Sequence, residues 1–257
     1  MKYKIVFFDV DGTITNHEDG SISIRTKEAI KALKRKGLKL VAATGRPLSM
    51  CNEIKALGID TFITANGAYA KHNNKVIHKV PMDNRIVKDV VEFAKIENHG
   101  LSFYSEDFSM NGVKDDNILK ALRETLSLND YPLTNQHIFN YEIYLMCLFA
   151  NDIMAEKYID KFPNLTFKRW HPFVLNVLKD DISKSLAIIK VLEYFNIDHS
   201  EAIAFGDGEN DIDMLELVGL GISMGNGNEK LKMAADFVTK KSSEDGIAYA
   251  LEKFQVI

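Results

Sequence analysis

The first apolar run of the chain ends in Phe7-Phe8-Asp9-Val10-Asp11-Gly12-Thr13. The run from Lys4 to Phe8 is rich in β-branched and aromatic residues, which is typical of a buried strand. Two carboxylates, separated by one residue, follow this strand and lead into a Gly-Thr turn. Ligands of open α/β sheets bind just beyond the carboxyl ends of the strands. The stretch therefore predicts metal-assisted phosphate chemistry, with an ordinary Asp-Gly turn at a strand end as the alternative.

The composition is that of a globular protein with room for two domains. The chain has 257 residues, of which 46% are apolar and 26% are charged. A net charge of −4 argues against nucleic-acid binding, because nucleic-acid binders carry a basic surplus. The longest apolar run, Ile143 to Ala150, is far shorter than the roughly 20 residues of a membrane span. We therefore expect neither a nucleic-acid nor a membrane partner.

The N-terminus and the cysteines favour a cytoplasmic protein. The first apolar run stops at Asp9, which is too early for a signal peptide. Cys51 and Cys147 have neither a metal-ligand spacing nor the pattern of a disulfide framework. The sequence contains no feature that predicts an oligomeric state.

Strands and helices alternate over residues 1–81 and again over residues 182–257, which is the pattern of a parallel sheet with right-handed crossovers. After Pro81 the pattern changes, and residues 82–181 mix short hairpins with helices. We predict an α/β fold in which both ends of the chain form a Rossmann-like, doubly wound core, residues 1–81 plus 182–257. An α+β domain, residues 82–181, is inserted into this core.

Three local patterns in the sequence make further predictions. Pro47 suits the first turn of a helix that ends near Gly58. The apolar stretch Tyr141 to Phe149 predicts a strand. The basic and aromatic tetrapeptide Lys168-Arg169-Trp170-His171 predicts either contacts to a substrate or an exposed hairpin.

Four separate segments of the core carry polar clusters at the predicted ends of strands or at the start of a helix. They are Asp9 with Asp11, Thr44-Gly45-Arg46, Ser183-Lys184, and Gly206-Asp207-Gly208-Glu209-Asn210-Asp211. In a parallel sheet these clusters meet at one edge. Two carboxylates about 4 Å apart repel by roughly 4 kcal/mol at an effective dielectric constant near 20. The cluster therefore predicts a cation, and oxygen ligands with room for water favour Mg²⁺. Lys184 is either a partner for phosphate or the ion-pair partner of Asp207 or Asp211.

The four clusters resemble the four motifs of the haloacid dehalogenase superfamily. Asp9-Val10-Asp11-Gly12-Thr13-Ile14 is similar to the first motif, Thr44 to the second, Lys184 to the third, and Gly206–Asp211 to the fourth. Within that superfamily the chain resembles the Cof-type subfamily of sugar and metabolite phosphatases. The segments that carry this finer resemblance are Thr44-Gly45-Arg46, Asn66-Gly67-Ala68, Met224-Gly225-Asn226 and Ala234-Ala235-Asp236.

The resemblance implies a large α/β cap between the second and third motifs, where the pattern of the chain changes. It departs at the third motif, where the subfamily often has Gly-Val-Ser-Lys-Gly and this chain has Asp181-Ile182-Ser183-Lys184-Ser185. The lysine is kept. We expect the absence of the two glycines to change how the cap joins the core, or how closely the backbone approaches the substrate.

The resemblance also implies roles for individual residues in the hydrolysis of a small phosphorylated metabolite. Asp9 attacks phosphorus to form an aspartyl-phosphate, and Asp11 protonates the leaving alcohol and then deprotonates the attacking water. Mg²⁺ is held by Asp9, Asp207 and the backbone carbonyl of Asp11. The phosphate and substrate contacts are assigned to Thr44, Gly45, Arg46, Lys184 and Asn210, and the supporting positions to Asp211 and Asn66. For Arg46, an exposed ion pair is the alternative, and for Asn66-Gly67 the alternative is a simple turn.

Two other functions are compatible with the same motifs. A phosphomutase on this fold would return the phosphoryl group to its sugar without releasing phosphate. A sensor of phosphorylated ligands would bind without turnover, although the complete set Asp9, Asp11, Lys184 and Asp207 weighs against it.

Overall fold

The structure is a computed structural model that describes residues 2–135, 137–179 and 182–257. The chain divides into two compact units. The first contains the residues up to Arg46, Cys51–Lys79 and Ser183–Ile257, and the second contains Pro47–Met50 and Val80–Ile182. Asp181, part of the departure at the third motif, lies outside the described residues.

The strands are numbered in chain order through both units. They are β1 (Ile5–Phe8), β2 (Lys39–Ala43), β3 (Thr61–Thr64), β4 (Tyr69–His72), β5 (Lys75–Lys79), β6 (Gly100–Tyr104), β7 (Phe108–Met110), β8 (Leu145–Phe149), β9 (Thr166–His171), β10 (Val174–Leu178), β11 (Ala202–Gly206), β12 (Leu220–Ser223) and β13 (Phe237–Val238).

The α-helices are numbered in the same way. They are α1 (Ile24–Arg35), α2 (Asn52–Lys55), α3 (Asn84–Glu97), α4 (Asp116–Leu126), α5 (Asp152–Lys161), α6 (Lys184–Phe195), α7 (Ile212–Leu217), α8 (Glu229–Ala234) and α9 (Gly246–Lys253).

An eight-stranded sheet forms the centre of the first unit, in the order β13-β12-β11-β1-β2-β3-β4-β5. The six strands from β13 to β3 are parallel, and the β4–β5 hairpin adds two antiparallel strands at the edge. The chain runs outward from β1 through β2 to β3 and later returns on the other side of β1 as β11. The strand order therefore reverses between β1 and β11, which is where α/β sheets bind their ligands.

Alternating side chains of the central strands supply a core on each face of this sheet. Ile5 and Phe7 pack with Ile188 and Val191 of α6, together with apolar residues of α7 and α8. Successive strand residues point to opposite faces, so Val6 and Phe8 face the other way; both are fully buried. Helix α1 contacts both β2 and α9. The predicted α/β class with a doubly wound parallel core is therefore confirmed.

The N-terminus of α6 is fixed beside a turn from another part of the first unit. Ser183 caps the helix, its side chain accepting a hydrogen bond from the backbone N–H of Leu186 at 3.3 Å. Lys184 is the first residue of the helix and is buried. The Asn66-Gly67 turn that follows β3 packs against this N-terminus, because Gly67 lies directly beside the Ser183 carbonyl.

An antiparallel sheet, in the order β7-β6-β8-β10-β9, forms the second unit together with its helices. Val87, Val90 and Ala94 of α3 and Tyr158 of α5 pack against the apolar residues of this sheet. The mixture of hairpins and helices confirms the predicted α+β character of the inserted segment.

The tetrapeptide Lys168-Arg169-Trp170-His171 lies on β9, at the edge of the second sheet. Arg169 pairs with Asp152 at 2.8 Å and His171 contacts Glu124 at 3.0 Å. Trp170 is 45% exposed. The structure therefore places this segment in a hairpin with exposed positions, and a contact to substrate stays a prediction.

Two local predictions are wrong in detail. Leu48–Met50 forms a 3₁₀ turn and α2 begins only at Asn52, so no single helix runs from Pro47 to Gly58. The strand expected over Tyr141 to Phe149 begins only at Leu145, and a 3₁₀ turn at Ile138–Asn140 lies before it. Over residues 2–135, 137–179 and 182–257, none of the helices has the length and apolarity of a membrane span.

Gly67 is expected to tolerate no side chain. Its φ is +107°, and an added Cβ would lie 2.1 Å from the Ser183 carbonyl oxygen. Gly37→Ala is the matched control, because Gly37 also has a positive φ, +82°, but its Cβ would meet no atom within 4 Å. We expect Gly37→Ala to lower the free energy of unfolding by about 1–2 kcal/mol through backbone strain. Gly67→Ala should lower it by about 1–3 kcal/mol more, because of the clash with the Ser183 carbonyl. Equal free energies of unfolding in urea for the two variants would contradict this close approach.

Candidate active site

The candidate site is built where the strand order of the first sheet reverses. Asp9 follows β1, Asp207 follows the neighbouring β11, and Thr44 follows β2 on the other side. These three strands run parallel with β1 in the middle. Their carboxyl ends therefore bring together residues that lie almost 200 positions apart in the chain, as the sequence predicts.

A tight turn after β1 brings the backbone against Asp207. Gly12 has a φ of +82°, and a Cβ there would lie 2.2 Å from Asp207 Oδ2, so only glycine fits. The Thr13 hydroxyl donates a hydrogen bond to Asp207 Oδ1 at 2.8 Å. The side-chain amide of Asn226 donates to the Gly12 carbonyl oxygen at 2.8 Å. The turn is therefore held by side chains from two other loops of the first unit.

Lys184 lies at the centre of a buried ion-pair network. Its ammonium group donates hydrogen bonds to Asp9 Oδ1 and to Asp211 Oδ1, both at 2.5 Å. The lysine and Asp211 side chains have 0% and 1% of their surface exposed, and that of Asp9 has 10%. Of the ion pairs predicted as alternatives for Lys184, the pair with Asp211 is present.

Asp211 also closes the loop that follows β11. Its second carboxylate oxygen accepts hydrogen bonds from the backbone N–H groups of Asp207, at 3.0 Å, and Gly208, at 2.9 Å. This loop leads directly into α7, which begins at Ile212. Asp211 therefore fixes the backbone of Asp207 while it binds Lys184.

Three carboxylates lie close enough together to hold a metal ion. Asp9, Asp207 and Asp211 each offer an oxygen, and these oxygens lie within 4.8 Å of one another. When ionised they carry three negative charges, against one positive charge on Lys184. A hard divalent cation suits such an oxygen set. The side chains of these three residues therefore fit a divalent metal. Asp211, predicted only as a supporting residue, is one of the three.

Burial and the neighbouring charges shift the pKa values of Asp9, Asp207 and Lys184. Burial raises the pKa of Asp207 to about 7, and the Thr13 hydrogen bond only partly opposes the rise. Burial also raises the pKa of Asp9, although Lys184 acts in the opposite direction. For Lys184, burial lowers the pKa, but the carboxylates of Asp211 and Asp9 outweigh burial and raise it. Lys184 therefore stays charged, and the raised pKa values of Asp9 and Asp207 mean that these two carboxylates bind a proton more readily than exposed ones.

Asp11 lies apart from this buried network. Its side chain is 54% exposed and pairs with Arg46, whose terminal nitrogen lies 2.5 Å from Asp11 Oδ1. Another nitrogen of Arg46 lies 2.7 Å from Glu53 Oε1. The ion-pair alternative predicted for Arg46 is therefore present in the structure.

The remaining predicted residues surround the end of β2 and the Asn66 turn. The Thr44 carbonyl oxygen accepts a hydrogen bond from Asn66 N–H at 3.1 Å. The Asn210 side chain donates to Asn66 Oδ1 at 3.0 Å. A Cβ on Gly45 would lie 3.2 Å from that same oxygen. Asn66 thus connects the second and fourth motifs.

Four residues of this neighbourhood were not predicted as part of the site: Thr13, Glu53, Asn226 and Ser242. Thr13 and Asn226 lie inside motifs that carry the family resemblance, and that signal could have identified them. Ser242 donates its backbone N–H to Asn226 Oδ1 at 2.8 Å. Glu53 and Ser242 have no such sequence signal, because only the folded chain brings them to these partners.

Comparison with known proteins agrees with this geometry. The family model for haloacid dehalogenase-like hydrolases matches residues 6–251. The chain belongs to this family. It is 36% identical to the putative phosphatase YkrA of Bacillus subtilis, and the alignment covers 100% of both chains.

Two solved structures are also similar to this protein over nearly the whole chain. A protein from Geobacillus kaustophilus superposes with a TM-score of 0.92 at 36% identity, over 99% of this chain and 100% of that one. The sugar phosphatase BT4131, of subclass IIB of the superfamily, superposes with a TM-score of 0.83 at 33% identity, over 99% and 100%. The predicted Cof-type family and the enzyme class, phosphoric monoester hydrolase, are confirmed.

We expect Lys184→Met to destabilise this hydrolase by about 3–5 kcal/mol, because it leaves buried carboxylates without their cation. Lys190→Met is the control: Lys190 lies on the same helix, but its side chain is 49% exposed and pairs with Glu193. The control should change the free energy of unfolding by no more than about 1 kcal/mol. Urea unfolding at pH 7.5 measures both variants, and similar losses would contradict a buried network centred on Lys184.

Without divalent cations, the stability of the protein should fall as the pH rises from about 5 to 7. In the folded protein the pKa of Asp207 is about 7, whereas the ordinary pKa of an aspartate, as in the unfolded chain, is 3.8. The folded state therefore binds more protons than the unfolded state in this window, and its stability is lost as the pH rises. Thermal unfolding in EDTA should show this slope, and both Asp207→Asn and added Mg²⁺ should reduce it. A slope that neither treatment changes would contradict the pKa assignment.

Proposed function

We propose that the protein is a Mg²⁺-dependent phosphatase that hydrolyses small phosphorylated metabolites through an aspartyl-phosphate on Asp9. The observation that supports this most strongly is the cluster of Asp9, Asp207 and Asp211, with its excess of buried negative charge. Bound Mg²⁺ would supply positive charge that stabilises the transferring phosphoryl group.

Asp9 and Asp207 are proposed to hold the ion together with the backbone carbonyl of Asp11, with Asp211 beside them. Asp9 is suited to nucleophilic attack because its carboxylate lies at the end of a rigid central strand, and its backbone N–H donates to the Phe205 carbonyl oxygen at 2.9 Å. One of its oxygens is bound by Lys184 and its position is therefore fixed. The attack forms a bond from Asp9 to phosphorus as the bond to the leaving oxygen breaks.

Asp11 is proposed to act as the general acid and then as the general base. It gives a proton to the leaving alkoxide, and later takes one from the water that attacks the aspartyl-phosphate and frees Asp9. Its half-exposed side chain, two residues from Asp9, is accessible for such a role. Thr44, Lys184 and Asn210 are proposed to bind the phosphoryl oxygens.

The division of the chain supports separate roles for its two units. All the proposed catalytic residues belong to the first unit, close to the predicted core of residues 1–81 and 182–257. We propose that the second unit, close to the predicted residues 82–181, is a cap that selects the substrate. Similarity to the sugar phosphatase BT4131 favours sugar phosphates, with phosphorylated cofactors as the other class to test.

A cytoplasmic setting without nucleic-acid or membrane partners completes the proposal. Cys51 and Cys147 are both buried thiols that are not joined in a disulfide, which supports a reducing compartment. The net charge of −4 supports a small-molecule substrate rather than a nucleic acid.

Phosphate release from a panel of sugar phosphates, nucleotides and phosphorylated cofactors tests the reaction. Release should require Mg²⁺ and stop in EDTA. Asp9→Asn should lower turnover by at least about 10³-fold, whereas the control Asp19→Asn, an exposed residue of the loop after β1, should keep wild-type turnover. Asp11→Asn should retain a phosphoryl group on the protein, which intact mass spectrometry detects after reaction with an activated phosphate ester.

Three outcomes would overturn the proposal. Near wild-type turnover by Asp9→Asn would reject the nucleophile. An isomerised sugar phosphate without free phosphate would identify a phosphomutase. Binding of a compound from the panel without turnover in any metal would identify a sensor.

A further inference from the structure

The Arg46 guanidinium contacts two carboxylates at once. Its Nε lies 3.1 and 3.0 Å from the two oxygens of Asp11, and one terminal nitrogen lies 2.5 Å from Asp11 Oδ1. The other terminal nitrogen donates to Glu53 Oε1 at 2.7 Å. All three guanidinium nitrogens are therefore engaged, and the contact with Asp11 uses both of its oxygens.

This arrangement differs from an ordinary surface ion pair. The Arg46 side chain is only 19% exposed, although Asp11 and Glu53 are 54% and 51% exposed. Its main chain is also fixed: the N–H donates to Thr44 Oγ1 at 3.1 Å, and the carbonyl accepts from Ala65 N–H at 3.3 Å. A planar guanidinium held at its backbone and at both ends of its fork can fix the orientation of a carboxylate, which a flexible lysine does less well.

We infer that Arg46 is a positioning residue that fixes the Asp11 carboxylate for proton transfer, and that Glu53 anchors Arg46 in this orientation. The inference rests on the proposed function, because it assigns a task to residues beside the proposed general acid and base. It differs from the predicted role of Arg46 as a substrate contact, since Arg46 here acts through Asp11.

The two roles of Arg46 make different kinetic predictions. A guanidinium that binds the substrate phosphate contributes to every substrate alike, and its loss raises KM. A guanidinium that orients Asp11 affects the steps in which Asp11 moves a proton. Nitrophenolate is a stable anion and leaves without a proton, whereas a sugar alkoxide requires one. The first step with p-nitrophenyl phosphate should therefore be insensitive to Arg46, and the first step with a sugar phosphate should not.

Two variants and one matched control test the inference. Arg46→Lys keeps the charge but removes the fork, and Glu53→Gln removes the anchor without touching Asp11. Glu252→Gln is the control, because Glu252 is 53% exposed and also pairs with an arginine, Arg25, at 2.7 Å. Circular dichroism melts of all three variants establish that each is folded at the assay temperature.

Rapid mixing and steady-state assays give the readouts. We expect Arg46→Lys to lower kcat about 10–100-fold for the sugar phosphate that the wild type hydrolyses fastest, a part of the full acid–base contribution. KM should change less than about threefold, and the burst rate with p-nitrophenyl phosphate should stay near wild type. Glu53→Gln should show the same pattern with a smaller loss of kcat. Glu252→Gln should have wild-type kcat and KM for both substrates.

Other results would overturn the inference in recognisable ways. A rise in KM for both substrates, with kcat unchanged, would make Arg46 a substrate contact. Wild-type kinetics in Glu53→Gln would reject the anchor. The proposed function itself fails if the wild type releases no phosphate or if Asp9→Asn stays active. If both proteins behave as proposed but the effects of the Arg46 and Glu53 variants do not depend on the leaving group, only the role of Arg46 is rejected.

Discussion

The first unit is organised around one constraint, the concentration of negative charge in a space from which water is largely excluded. Transferring a charged side chain into a protein interior costs several kcal/mol, and the cost is offset only by a partner of opposite charge in good geometry. Lys184 provides that partner for Asp9 and Asp211, at 2.5 Å from each. Asp207 lies in the same cluster and accepts a hydrogen bond from the Thr13 hydroxyl. An excess of negative charge that a cation could offset therefore lies at the point where the strand order of the sheet reverses.

Several elements of the fold hold these charged side chains in place. Parallel pairing of β1 with β11 brings Asp9 and Asp207 together, and the cap at Ser183 begins α6 so that Lys184 points into the cluster. Gly67 permits the turn after β3 to lie against that helix, and Gly12 permits the turn after β1 to lie against Asp207. At both glycines a positive φ and the close approach of another atom exclude a side chain.

Sequence patterns sufficed for the fold class and for the prediction that Asp9, Asp207 and Lys184 lie close together. Strand ends, glycines and family motifs identified Asp9, Asp207 and Lys184, because each follows a strand or begins a helix. The two-residue strand β13 and the short helix α7 have too few residues to show a periodicity, and the segment Pro47–Met50 groups with the second unit through contacts that local sequence does not encode.

Side-chain partners were the least predictable part of the site. Arg46 lies 35 positions from Asp11 and seven from Glu53, and nothing in the spacing indicates that it contacts both. The placement of Asp211 inside the carboxylate group likewise depends on a loop geometry that its backbone hydrogen bonds define. Such pairings are decided by tertiary packing, whereas periodicity only reports which face of an element is buried.

The position of β1 in the middle of its sheet has a consequence for synthesis of the protein. Ile5 pairs with Lys39 on one side and with Ala202 on the other. At roughly 5–20 residues per second, β11 leaves the ribosome about ten seconds or more after β1. Throughout that interval the nascent chain presents an apolar strand with one unpaired edge, which is a template for aggregation. The last edge of β1 can therefore be paired only after the inserted unit has been made.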